Sequence, residues 1–123
     1  MDVFGYRDGI KEAKRLISEG RAQITAAERL NNRAEIFANT HMLYSAGYPT
    51  YEEEKEFAFD KKSTAIEKIK QGLEIYRHLL SYDNIEHFTR IKNSIKGTVL
   101  EFRDFLLNED VDRYTNSLYV GAE

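Results

Sequence analysis

Apolar residues recur every three or four positions along nearly all of this chain, and a single proline interrupts them. That proline is Pro49, within Ala46-Gly47-Tyr48-Pro49-Thr50. A three-or-four spacing puts one apolar stripe on one face of an α-helix. Proline lacks the amide donor a helix interior needs and turns the preceding residue away from helical backbone. The chain is therefore expected to form long amphipathic helices folded back at Pro49.

The first stripe is Ile10, Ala13, Ile17, Gly20, Ile24, Ala27, Leu30, Ala34, Phe37, His41 and Tyr44. It predicts a helix over residues 7–46, about 60 Å long at 1.5 Å per residue. Ser18-Glu19-Gly20 has the form of a C-terminal stop, because glycine readily closes a helix in the left-handed conformation. The apolar phase nevertheless passes through Gly20, so the first helix is expected to be kinked or split there. Gly47 ends it. Thr50 and Glu53 then form a capping box for the second helix, and Glu52, Glu53 and Glu54 suit its positive end.

The second stripe is Tyr51, Ala58, Ala65, Ile69, Leu73, Tyr76 and Leu80, with Phe57, Ile66 and Leu79 beside it. It predicts a helix over about residues 50–80. Ser81-Tyr82-Asp83-Asn84 breaks the pattern, and Asp83 with Glu86 repeats the capping logic, with Asn84 as the alternative cap. The third stripe is Ile85, Phe88, Ile91, Ile95, Val99, Phe102 and Leu106. Val111, Tyr114 and Leu118 then mark a short helix within 108–123, which otherwise reads as an acidic tail. No internal repeat or strand alternation stands out.

The expected fold is all-α: one domain over 1–123, an elongated antiparallel bundle of three long helices. A split at Gly20 would make it a four-helix bundle. Short turns imply antiparallel neighbours. The third helix would then return to the Pro49 end, and residues 108–123 would lie beside that turn. Folding about residues 48–49 would set Gly72 near Ile24 and Gly20 near Tyr76. A glycine on such a seam admits a bulky neighbour or a close helix approach. Three wide stripes also leave dimerisation through a helix face open.

Charged residues make up 32% of the chain and hydrophobic ones 41%, a balance that supports a folded domain rather than a disordered one. There is no cysteine, which rules out disulfides and thiol chemistry. The first residues lack the apolar core of a signal peptide. No apolar run approaches the ~20 residues of a membrane span. The expected compartment is the cytoplasm, with no membrane partner. Residues 101–123 hold six acids and two bases, leaving the first hundred at +1 within a total of −3. An acidic C-terminal stretch disfavours wrapping by nucleic acid.

No catalytic, cofactor or metal site is expected. Glu74 and His78 are four apart, as are Asp83 and His87. Two such pairs lack the Glu-x-x-His pattern of a carboxylate-bridged metal bundle, and ordinary surface pairing explains them. The seven glycines are scattered, so no phosphate loop is formed. His41, on the first stripe, reads as a hydrogen-bonded, partly buried histidine.

The aromatic residues divide in two. Phe57, Phe88 and Phe102 are expected in the core. Tyr44, Tyr48 and Tyr51 bracket the proline turn, where Tyr114 and Tyr119 would join them. Tyrosines supply contact area with a polar handle, a composition enriched at protein interfaces. The competing reading is that these rings seal the end of the bundle. The expected function is therefore a non-enzymatic protein-binding module, a small adaptor, regulator or inhibitor that occupies a surface of another protein. The alternative is a helical subunit of a nucleoprotein complex, with Arg90, Lys92 and Lys96 as its basic face. The lysines of the second helix are interleaved with acids, which is the pattern of a solvated face.

Overall fold

The computed structural model describes residues 3–39, 51–81 and 85–120. They form α1 (Val3–Asn39), α2 (Tyr51–Leu79), α3 (Ile85–Phe102) and α4 (Asn108–Val120), with no strand among the described residues. The predicted turn at Gly47, Pro49 and Thr50, and the cap at Asp83 and Asn84, lie outside the described residues.

α1 runs unbroken through Gly20. The predicted split does not occur, and the fourth helix comes instead from the C-terminal segment. Gly20 is needed for packing rather than for termination. A methyl at Gly20 would lie 2.9 Å from the Ala65 carbonyl oxygen and 3.0 Å from Ile69 Cδ1. At Gly72 it would lie 2.7 Å from Ile17 Cγ1 and 2.9 Å from the Ala13 carbonyl oxygen. Each glycine thus receives the other helix's isoleucine and lets the backbones close on one another.

The two sites are reciprocal. Ala13, Ile17 and Gly20 repeat as Ala65, Ile69 and Gly72, with the same spacing of four and then three. The sequence does contain a short repeat, visible only once the hairpin pairs its two copies. The pairing also shifts the expected register. Gly72 meets Ala13 and Ile17 rather than Ile24, and Gly20 meets Ala65 and Ile69 rather than Tyr76. The two glycine notches interlock at this register, which differs from the one expected for a fold about residues 48–49.

α3 and α4 form a second, shorter hairpin on one side of α2. Asp110 lies 3.2 Å from Lys70 and Arg113 lies 3.0 Å from Glu74, so α4 descends parallel to α2. Residues 103–107 turn the chain. Glu109 and Asp110 in the first turn of α4 complement its positive end. The core is a layer of Ile17, Ile69, Leu73, Tyr76, Leu79, Ile91, Ile95, Val99, Phe102 and Tyr114 between the two hairpins.

The hairpins differ in length. α2 has 29 residues and α3 has 18, about 43 Å against about 27 Å at the helical rise. Both hairpins share the end at Leu79 and Leu80, so α1 and α2 project beyond the second hairpin at the other end. Phe105 meets Lys62 there, with the ammonium 4.3 Å from the ring centre. Arg21 meets Glu101 at 2.6 Å. Above that level, roughly residues 26–39 of α1 and 51–61 of α2 stand as a two-helix arm on a four-helix body.

Candidate functional site

The arm closes on a seam of small side chains. Ala27, Ala34 and Ala58 are buried there. Glu54 joins them with only 6% of its surface exposed. Arg33 Nη2 donates to Glu54 Oε1 at 2.7 Å, while Oε2 has no hydrogen-bond partner. A buried carboxylate needs such a cation to offset its lost hydration.

Near the start of α2, Tyr51, Glu35 and Lys55 form a strap between the helices. The Tyr51 hydroxyl donates to Glu35 Oε1 at 2.8 Å. Lys55 pairs with the same carboxylate and stands 5.5 Å from the centre of the Tyr51 ring. Hydrogen bonds from Lys55 and then Tyr51 hold the Glu35 carboxyl below its ordinary range. The bond to Glu35 raises the Tyr51 phenol.

Three large apolar side chains of the arm point outward. Phe57 is 60% exposed, Phe59 68% and Ile36 61%. Phe57 and Phe59 are two residues apart, about 200° around a helix, and they straddle the buried Ala58. Phe59 forms a wall of a groove of about 310 Å³ that also includes Ala27, Asn31, Lys55 and Lys62. Phe57 lies on the other flank, with Lys61 5.9 Å from its ring centre.

Of the tyrosines expected to gather at the proline turn, the three described ones, Tyr51, Tyr114 and Tyr119, do not come together. Tyr44 and Tyr48 lie outside the described residues. Tyr51 is half-buried, and its hydroxyl is engaged within the strap. Tyr114 is 1% exposed, in the body core, and donates to the Lys70 carbonyl at 3.2 Å. Burial is the main reason its phenol is pushed up, with Glu74 and Asp110 adding to it. Lys70 and Tyr51 are 19 positions apart on α2, about 28 Å. Tyr119 is exposed on α4, further still from Tyr51. Tyr114 and Tyr119 lie away from Tyr51 because α3 stops at Phe102, short of the end where α2 begins, and α4 then turns away from it.

Phe102 is buried and Phe88 half-buried, but Phe57 is a correction: among the described residues no helix covers its flank of the arm. The Phe57-Ala58-Phe59 triplet carried a signal of this, since two rings 200° apart cannot both face one narrow seam. Arg90 and Lys92 are likewise two apart, on opposite sides of α3. Lys92 stands 5.4 Å from the Phe88 ring centre and shares a side with Lys96. The three residues do not make one basic face.

His78 is exposed, and Glu74 bonds to Arg77 and Arg113 rather than waiting for a metal. The side chains of His41 and His87 lie outside the described residues. Among the described residues no group of three or more His, Asp or Glu side chains is placed to hold a metal ion. No described helix is long and apolar enough to cross a membrane. Compared with known proteins, the chain matches no family model, no curated protein and no solved structure.

Proposed function

We propose that this protein is a non-enzymatic cytoplasmic protein-binding module, an adaptor, regulator or inhibitor that presents its α1–α2 arm to another protein. One observation carries the reading. The arm buries alanines and exposes Phe57, Phe59 and Ile36. Burying a large apolar side chain contributes about 1.5–3 kcal/mol, and here that contribution is left for a partner. The flanking Lys55, Lys61 and Lys62 with Glu52, Glu53 and Glu56 give the rings a charged rim, as interfaces have around their apolar centres.

The test is affinity capture from native lysate with the wild type and with Phe57→Ser/Phe59→Ser. Loss of one specific partner, with the melting temperature unchanged, supports the arm as the contact. The same partners at the same yield from both proteins would remove the arm from the proposal.

A further inference from the structure

A second surface lies on the body, between α1 and α3. No Cα atom of α1 comes within 8 Å of one in α3. The space between them is a groove of about 520 Å³, floored by Ile17 and Tyr76 and walled by Ser18 on α1 and Asn93, Gly97 and Thr98 on α3. Its upper end is closed by Arg21, whose Nε and Nη2 both donate to Glu101, at 3.0 and 2.6 Å.

Gly97 is the residue that the rest of the chain does not account for. It sits inside α3, where glycine is destabilising relative to alanine. At Gly9, Gly20 and Gly72 a methyl would crowd a neighbouring helix, but at Gly97 it would meet nothing within 4 Å. Nothing within the described chain uses its missing side chain. The open space beside it is the groove, so the close approach that glycine permits is available to something from outside.

The charge around the groove indicates what that is. Lys14 lines it. Arg7 and Lys11 continue the same face of α1, and Arg90 lies two turns before Gly97 on the groove face of α3. None of these four cations has an ion-pair partner among the described residues. Glu101, the acid that lines the groove, is held by Arg21. Among the described residues the groove therefore has a positive margin on each wall without an ion-pair partner, over a floor of Ile17 and Tyr76.

We infer that the α1–α3 groove binds an acidic amphipathic helix of a partner protein. The helix lies along α3 with small residues against Gly97 and places its carboxylates toward Lys14 and Lys11 on one side and Arg90 on the other. Two turns fit the stretch from Lys14 to Arg21, about 10 Å. A helix is favoured over a nucleic acid strand because the feature nearest the centre is a bare patch of helix backbone, which suits a second helix packing closely. Tyr76, the one ring among the residues lining the groove, is buried in its floor rather than presented to receive a base. This site is separate from the arm and does not depend on the arm's binding a partner.

The full chain is titrated with three probes: a stapled 16-residue helical peptide with an alanine seam flanked by glutamates, the same peptide with lysines for glutamates, and a single-stranded 12-nucleotide oligomer. The glutamate peptide should bind best and weaken as salt rises. Gly97→Leu should weaken it about tenfold or more, a change readable as a shift in Kd. Gly97→Ala should melt at or above the wild-type temperature while also binding less tightly. Lys14→Glu/Arg90→Glu should exchange the preference toward the lysine peptide. Undiminished binding of the glutamate peptide by Gly97→Leu would overturn the inference. So would stronger binding of the oligonucleotide or of the lysine peptide by the wild type.

Discussion

The arm and the body are built from the same two helices yet are held by different side chains. In the body the seam between α1 and α2 carries Ile17, Ile69, Leu73, Tyr76 and Leu79, covered by Ile95, Val99 and Tyr114 from the second hairpin. In the arm it carries Ala27, Ala34, Ala58 and the ion-paired Glu54. A buried isoleucine or leucine contributes roughly 1.5–3 kcal/mol, a single methyl about 0.8 kcal/mol at most. Helices in proteins are stabilised chiefly by packing of one face. The arm is thus helical largely because its helices are anchored in the body, and its own apolar surface remains available.

The largest expected effect tests that contrast directly. Ile95→Ala or Leu73→Ala, both fully buried in the body, should lower unfolding free energy by about 2–5 kcal/mol in denaturant titration. Ala34→Gly in the arm should lower it by only about 1 kcal/mol. Equal losses would mean that the arm is as firmly held as the body. Next in size, Gly20→Val should destabilise by about 1–3 kcal/mol, because the new side chain meets Ile69 and the Ala65 carbonyl. Gly72→Val should match it if the two notches are equivalent, and clearly unequal losses would break the reciprocity.

Alkaline pH should act on the body. Burial raises Tyr6, Tyr76 and Tyr114, and Asp110 raises Lys70. A group with a raised folded pKa stabilises fully below its unfolded value and loses that contribution as pH rises. The unfolded phenol value is 10.0, so melting temperature should fall progressively above about pH 10. Tyr114→Phe should shrink the fall. An undiminished fall in that variant would place the titration elsewhere. The arm's strap of Tyr51, Glu35 and Lys55 is only half-buried, and water screens such pairs.

Smaller still, arm amides in residues 26–36 and 52–61 should exchange with deuterium faster than those in residues 69–79, because local opening costs less where fewer large side chains pack. Phe57→Ser/Phe59→Ser should change stability by no more than about 0.5 kcal/mol. A larger loss would show that the exposed rings support the fold rather than await a partner.

Much of the fold was legible in particular residues. The stripes from Ile10 to Ala34, Tyr51 to Leu80 and Ile85 to Phe102 located three helices, and Val111, Tyr114 and Leu118 located the fourth. The candidate surfaces were not legible. Phe57 sits beside a stripe, and it is exposed because no described helix covers it at its level. Gly97 resembles Gly20 and Gly72 in sequence, and only its empty surroundings separate it from them.

The sequence by itself determined that the chain is helical and which face of each helix is apolar, because period and propensity are local properties of consecutive residues. The tertiary structure decided the register, through Gly20 and Gly72, and the level at which the second hairpin stops, through the turn at 103–107. Those depend on which residues meet across helices distant in the chain. The single proline marks where the chain is expected to reverse, but two interlocking glycines set how the reversed helices are aligned.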